Sequence, residues 1–70
     1  MSREHTEARI RQFRLAAAGN QEMFEKKMFL RAQKSSPQKN EITAQILEEQ
    51  GDADLARRIR MVQVLKDIQL

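Results

Sequence analysis

The sequence predicts an all-α protein, a small bundle of three to four short helices in a single domain over residues 1–70, with helix 4 (about 53–69) the longest. Three observations predict it. Apolar residues recur three, four and seven positions apart in successive segments, the spacing of a helix face. The two glycines and the single proline fall between those segments instead of within them. Valine and threonine are sparse and tyrosine is absent, which argues against strands.

The first segment runs from about Thr6 to Ala18. Ile10, Phe13 and Ala17 line one face, and Ala16, Ala17 and Ala18 add helix propensity. Gly19 stops it, because glycine accepts the left-handed geometry of a helix C-terminus, and Asn20 is a good N-cap for a second helix. The second segment spans Gln21 to about Lys34. Met23, Phe24, Met28 and Leu30 are expected to share its inner face, leaving Phe29 outside. The stretch KSSPQKN, residues 34–40, reads as a flexible linker; alternatively Ser36 caps a third helix that already starts at Pro37, instead of at Glu41. Ile42, Ile46 and Leu47 form the third stripe, Gly51 ends it, and Asp52 is expected to cap the fourth helix with its carboxylate.

The fourth segment carries two apolar faces. At about 100° per residue, Leu55, Ile59 and Val62 lie within about 60° of one another, an ordinary core stripe that Lys66 interrupts. Met61, Val64, Leu65 and Ile68 lie on an arc rotated by about 130°. One small bundle has difficulty covering both. The expectation is that this second face, together with Phe29, meets another copy of the chain or a different protein; the competing reading is that helix 1 folds over it.

Charge is arranged in blocks. From Lys26 to Lys39 there are five basic residues (Lys26, Lys27, Arg31, Lys34, Lys39) and no acid, while Asn40 to Asp54 has five acids and no base. Such blocks are most simply read as complementary surfaces of neighbouring helices. A second reading makes Lys26, Lys27, Arg31, Lys34 and Lys39, or Arg57, Arg58 and Arg60, a surface for the phosphates of nucleic acid, which would supply affinity without sequence selectivity.

Several chemistries find no support. There is no cysteine and a single histidine, His5, so no cofactor or metal centre built on several such ligands is expected. A calcium loop starting at Asp52 would need glycine and glutamate where Arg57 and Gln63 stand. No hydroxyl has a histidine placed to activate it, and no glycine-rich phosphate loop exists, so no catalysis and no small-molecule substrate are expected. Helix-turn-helix registers fail as well. One places Arg57 and Arg60 in the core, and another, on LARRIRMVQ at 55–63, puts Arg60 at the turn glycine. No run of about 18 apolar residues suggests a membrane span, and the start lacks the apolar run of a secretory signal, so a cytoplasmic location is expected. The expected function is a non-enzymatic regulatory or protein-interaction module, homodimeric through the second half of helix 4. The alternative is a nucleic-acid-binding regulator.

Overall fold

The computed structural model describes residues 3–69, and among them the chain forms four α-helices and no strand: α1 (Arg3–Ala16), α2 (Gln21–Lys34), α3 (Pro37–Glu49) and α4 (Ala53–Ile68). The helices close a ring, with α1 packing on α2 and α3, and α4 packing on α3 and α2. Consecutive helices α2 and α3 are therefore diagonal to each other. The core is one cluster to which every helix contributes, with Ile10, Phe24, Ile46, Leu47, Leu55 and Ile59 as its largest fully buried side chains. Burial of each such side chain contributes about 1.5–3 kcal/mol. Ala32, Ala44 and Ala56, also buried, let the helix backbones approach closely where these large residues meet.

The punctuation follows from local chemistry. Asn20 caps α2 by accepting a hydrogen bond from the Met23 N–H at 3.1 Å, and Ser36 caps α3 in the same way from Lys39 N–H at 3.3 Å. Proline at the first position of α3 loses nothing, since that N–H has no partner inside a helix. Of the two readings of 34–40, the start of the third helix at Pro37 is the one observed: residues 37–40 are helical, and the break consists of Ser35 and Ser36. At the other turn Gly51 has φ +86°, with Asp52 N–H donating to Leu47 C=O at 2.8 Å and Gly51 N–H donating to Glu48 C=O at 3.1 Å. This is the paired closure of a Schellman motif. The α1–α2 corner is less regular, for both Ala18 (φ 51°) and Gly19 (φ 82°) are left-handed.

Three assignments need correction. The inner row of α2 is Phe24, Met28 and Ala32, spaced four apart; Leu30, about 200° around the helix from Met28, and Met23 are exposed. Phe29, expected outside the core, is half-buried against it, because α2 sits at a corner of the ring and offers flanks to both α1 and α4. Asp52 stands at the N-cap position of α4 but accepts no bond from that helix. Its Oδ2 accepts from Gln21 Nε2 at 3.1 Å and lies 4.0 Å from Arg14 Nη2, so it ties the Gly51 turn to α1 and α2.

Lys66 does not end the α4 stripe; it completes it. Its Nζ donates to Ala32 C=O at 3.0 Å and to Ser35 C=O at 2.8 Å, capping the carbonyl end of α2. Asn40, the buried polar residue of the core, donates through Nδ2 to the same Ala32 carbonyl at 3.0 Å and to Gln63 Oε1 at 2.8 Å.

Two predictions arise from this architecture. Nothing lies within 4 Å of a Cβ placed on Gly51, so replacing it with valine is opposed by backbone geometry alone and should lower stability by about 1 kcal/mol or more, whereas Ala18→Gly relieves a left-handed alanine and should raise it by up to about 1 kcal/mol. Urea titrations of the two variants should move in opposite directions. Lys66→Met keeps the hydrocarbon stem but removes both donors from the end of α2, and should cost about 1–2 kcal/mol in the same assay.

Candidate functional site

The second face of α4 remains uncovered. Met61, Val64, Leu65 and Ile68 are 53%, 48%, 50% and 73% exposed. The competing expectation, that helix 1 covers them, fails because α1 packs on the opposite side of the ring, against α2 and α3. Phe29 does not join this surface, since it turns inward at the edge of the core. Positions 61, 64 and 68 repeat at three and four residues, the spacing of a helix-to-helix seam, and Leu65 widens the row.

The arginines of α4 are committed to carboxylates. Arg60 bridges two residues of α3: it reaches Glu41 through Nε at 3.1 Å and Nη2 at 2.9 Å, and Glu48 through Nη1 at 2.8 Å and Nη2 at 3.2 Å. Hydrogen bonds from Arg60 hold both glutamates below the usual carboxylate range, and the two carboxylates raise the guanidinium further. Arg57 pairs with Asp54 at 2.6 Å, and Arg58 lies 3.4 Å from both Asp54 and Glu25. Asp54 is held low first by its hydrogen bond from Arg57 and then by the charge of Arg58. Every acid of EEQGDAD has a basic or amide neighbour, for Glu49 pairs with Arg3, and Asp52 takes Gln21 and Arg14.

These contacts correct the reading of the charge blocks. The acids of 40–54 meet arginines of α1 and α4, not the bases of α2, because α2 and α3 lie across the ring from one another. Within the central block, Lys26 lies 4.0 Å from Glu22, one turn back. Lys27, Arg31, Lys34 and Lys39 form no ion pair among the described residues. Arg31 and Lys39 instead converge with Arg9 of α1 on a cleft between α1, α2 and α3, floored by Ile10, Phe13 and Met28. Arg31 Nε is buried there without a hydrogen-bond partner. Sequence spacing brings Arg31 and Lys39 into one block, but the contribution of Arg9 depends on how α1 crosses the other helices. His5, an exposed residue, also lines this cleft, with its Nε2 at 3.4 Å from Arg9 Nη2.

Among the described residues no helix is long and apolar enough to cross a membrane, and no three histidine, aspartate or glutamate side chains gather as a metal site.

The Arg60 cluster has a defined pH signature. Glu41 and Glu48 have lowered folded-state pKa values, so the stabilisation they share with Arg60 is complete above the unfolded glutamate value and is lost as pH falls through the depressed folded values. The stability gap between the native chain and Arg60→Gln should therefore be largest above about pH 5 and shrink below about pH 4, as measured by urea titration across that range. Comparison with known proteins finds no matching family model, no matching curated protein and no matching solved structure.

Proposed function

We propose that this chain is a non-enzymatic interaction module that self-associates through the C-terminal half of α4, with a regulatory role carried by that association. The observation that supports it is the row Met61, Val64, Leu65 and Ile68, apolar, exposed and continuous over the last two turns of a helix whose other face is already buried. Water contact with such a row is unfavourable at about 25 cal/mol per Å², and a second copy supplies the matching apolar surface. A two-fold arrangement fits it, because this row carries no charge that would need an opposite charge on the partner.

A second reading, nucleic-acid binding by the central block, draws support from the unpaired Lys27, Arg31, Lys34 and Lys39. The other half of that reading is weaker, since Arg57, Arg58 and Arg60 already hold carboxylates. Titration of a DNA or RNA oligonucleotide at two salt concentrations separates the readings. Phosphate binding weakens steeply with salt through counterion release, whereas apolar self-association does not.

The self-association reading is tested at Leu65 and Ile68. Leu65→Glu or Ile68→Glu should convert a sedimenting dimer to a monomer, and should make the melting temperature lower and independent of concentration. Leu55→Glu buries a carboxylate in the core and should unfold the chain instead. A native chain that sediments as a monomer at all accessible concentrations refutes the dimer.

A further inference from the structure

The exposed row of α4 is its own complement under one symmetry. Met61, Val64, Leu65 and Ile68 span about 10 Å at about 1.5 Å of rise per residue, and their midpoint falls between Val64 and Leu65. A two-fold axis beside that midpoint, perpendicular to the helix, sets Met61 opposite the partner's Ile68 and Val64 opposite the partner's Leu65. Each layer then joins two unlike apolar side chains, and no charge enters it. A parallel pair behaves differently, because it faces every residue with its own copy. Arg57, exposed beside Asp54 and one turn before Met61 on the same side of the helix, would meet the partner's Arg57. Like charges facing each other across a seam oppose association, whereas the perpendicular axis holds these two arginines about 22 Å apart along the helices. The row is also accessible to a second helix. One groove beside it is lined by Gln33 and Leu65 on the α2 side, and another by Pro37 and Val64 on the α3 side, so α4 forms a ridge between them.

We propose that two copies of this chain pair antiparallel through α4, about a two-fold axis passing between Val64 and Leu65. This arrangement rests on the self-association reading and fixes what that reading leaves open. An axis perpendicular to α4 carries each flank of the helix onto the same flank of the partner, so the two α2 edges lie along one side of the pair and the two α3 edges along the other. The pair therefore has two unlike sides.

The chain has no cysteine, so single introduced cysteines report the arrangement without interference. A disulfide needs Cα atoms within about 7 Å, and under the perpendicular axis two copies of position 61, or of position 68, lie about 10 Å apart along the helices. Met61→Cys and Ile68→Cys chains, mixed and equilibrated in a glutathione buffer, should therefore give the mixed disulfide in about tenfold excess over either same-residue disulfide, read by intact mass. Leu15→Cys, at an exposed position on α1, measures random collision. A nitroxide on Arg57→Cys reads the same arrangement with the apolar row intact, and serves if a cysteine in the row weakens association; the two labels should lie beyond about 20 Å. Same-residue disulfides in excess, no excess of any disulfide, or Arg57 labels in contact, in a chain that sediments as a dimer, overturn the antiparallel arrangement and leave self-association standing. A chain that sediments as a monomer and links positions 61 and 68 no faster than Leu15→Cys overturns both.

Discussion

The carbonyl end of α2 must be satisfied where it abuts α4, and much of the bundle is arranged to meet that demand. Helix termini leave carbonyls without partners, and burying them unpaired costs about as much as losing hydrogen bonds outright. Here Ala32 C=O accepts from Asn40 of α3 and Lys66 of α4, and Ser35 C=O accepts from Lys66 as well. Three helices are thereby registered on a single point. Gln63 extends the knot by accepting from Asn40, which in turn fixes the azimuth of α4. With α4 so oriented, Leu55 and Ile59 point into the core, Arg60 faces the glutamates of α3, and Met61, Val64, Leu65 and Ile68 are turned outward.

Charge in this protein divides by chemistry more than by sequence block. Arginines, with planar multidentate heads, join helices: Arg60 links α4 to α3, Arg58 links α4 to α2, and Arg3 and Arg14 link α1 to the end of α3 and its turn. Arg14 also lies 4.2 Å from the Phe24 ring centroid, closing the core with its guanidinium face. The lysines of α2 and its C-terminal side, by contrast, contribute little to helix joining. Lys66 is the lysine built into the fold, and its partners are carbonyls, not carboxylates.

The legible part of the sequence is local. Asn20, the Ser36-Pro37 pair and Gly51 act on backbone groups within a few residues of themselves, so their roles follow from neighbours in the chain. The uncovered row on α4 is legible as well, because angles around one helix need no knowledge of the others. Misreadings arise where the answer lies across the ring. Phe29 and Leu30 exchange places because a corner helix has two flanks, and periodicity does not say which of them meets a neighbour. Asp52 has the position of a cap, yet Gln21 and Arg14, remote in sequence, claim its carboxylate. Lys66 reads as an interruption because a cation seldom belongs to a core stripe, and the carbonyls that receive it are more than thirty residues away. The cleft of Arg9, Arg31 and Lys39 requires the placement of three helices at once.

The α1–α2 corner has a consequence for motion. Within α1 itself Ile10 is the fully buried side chain, with Ala17 just beyond the helix, and the chain then turns through a left-handed alanine that its geometry disfavours. The other three helices hold one another through larger apolar side chains and the α2 knot. Cooperative opening in proteins follows such differences in local anchoring. By that measure α1, with one fully buried side chain, is expected to detach first, turning at Ala18 and Gly19. Since α1 is also one wall of the basic cleft, its detachment would open that cleft to solvent.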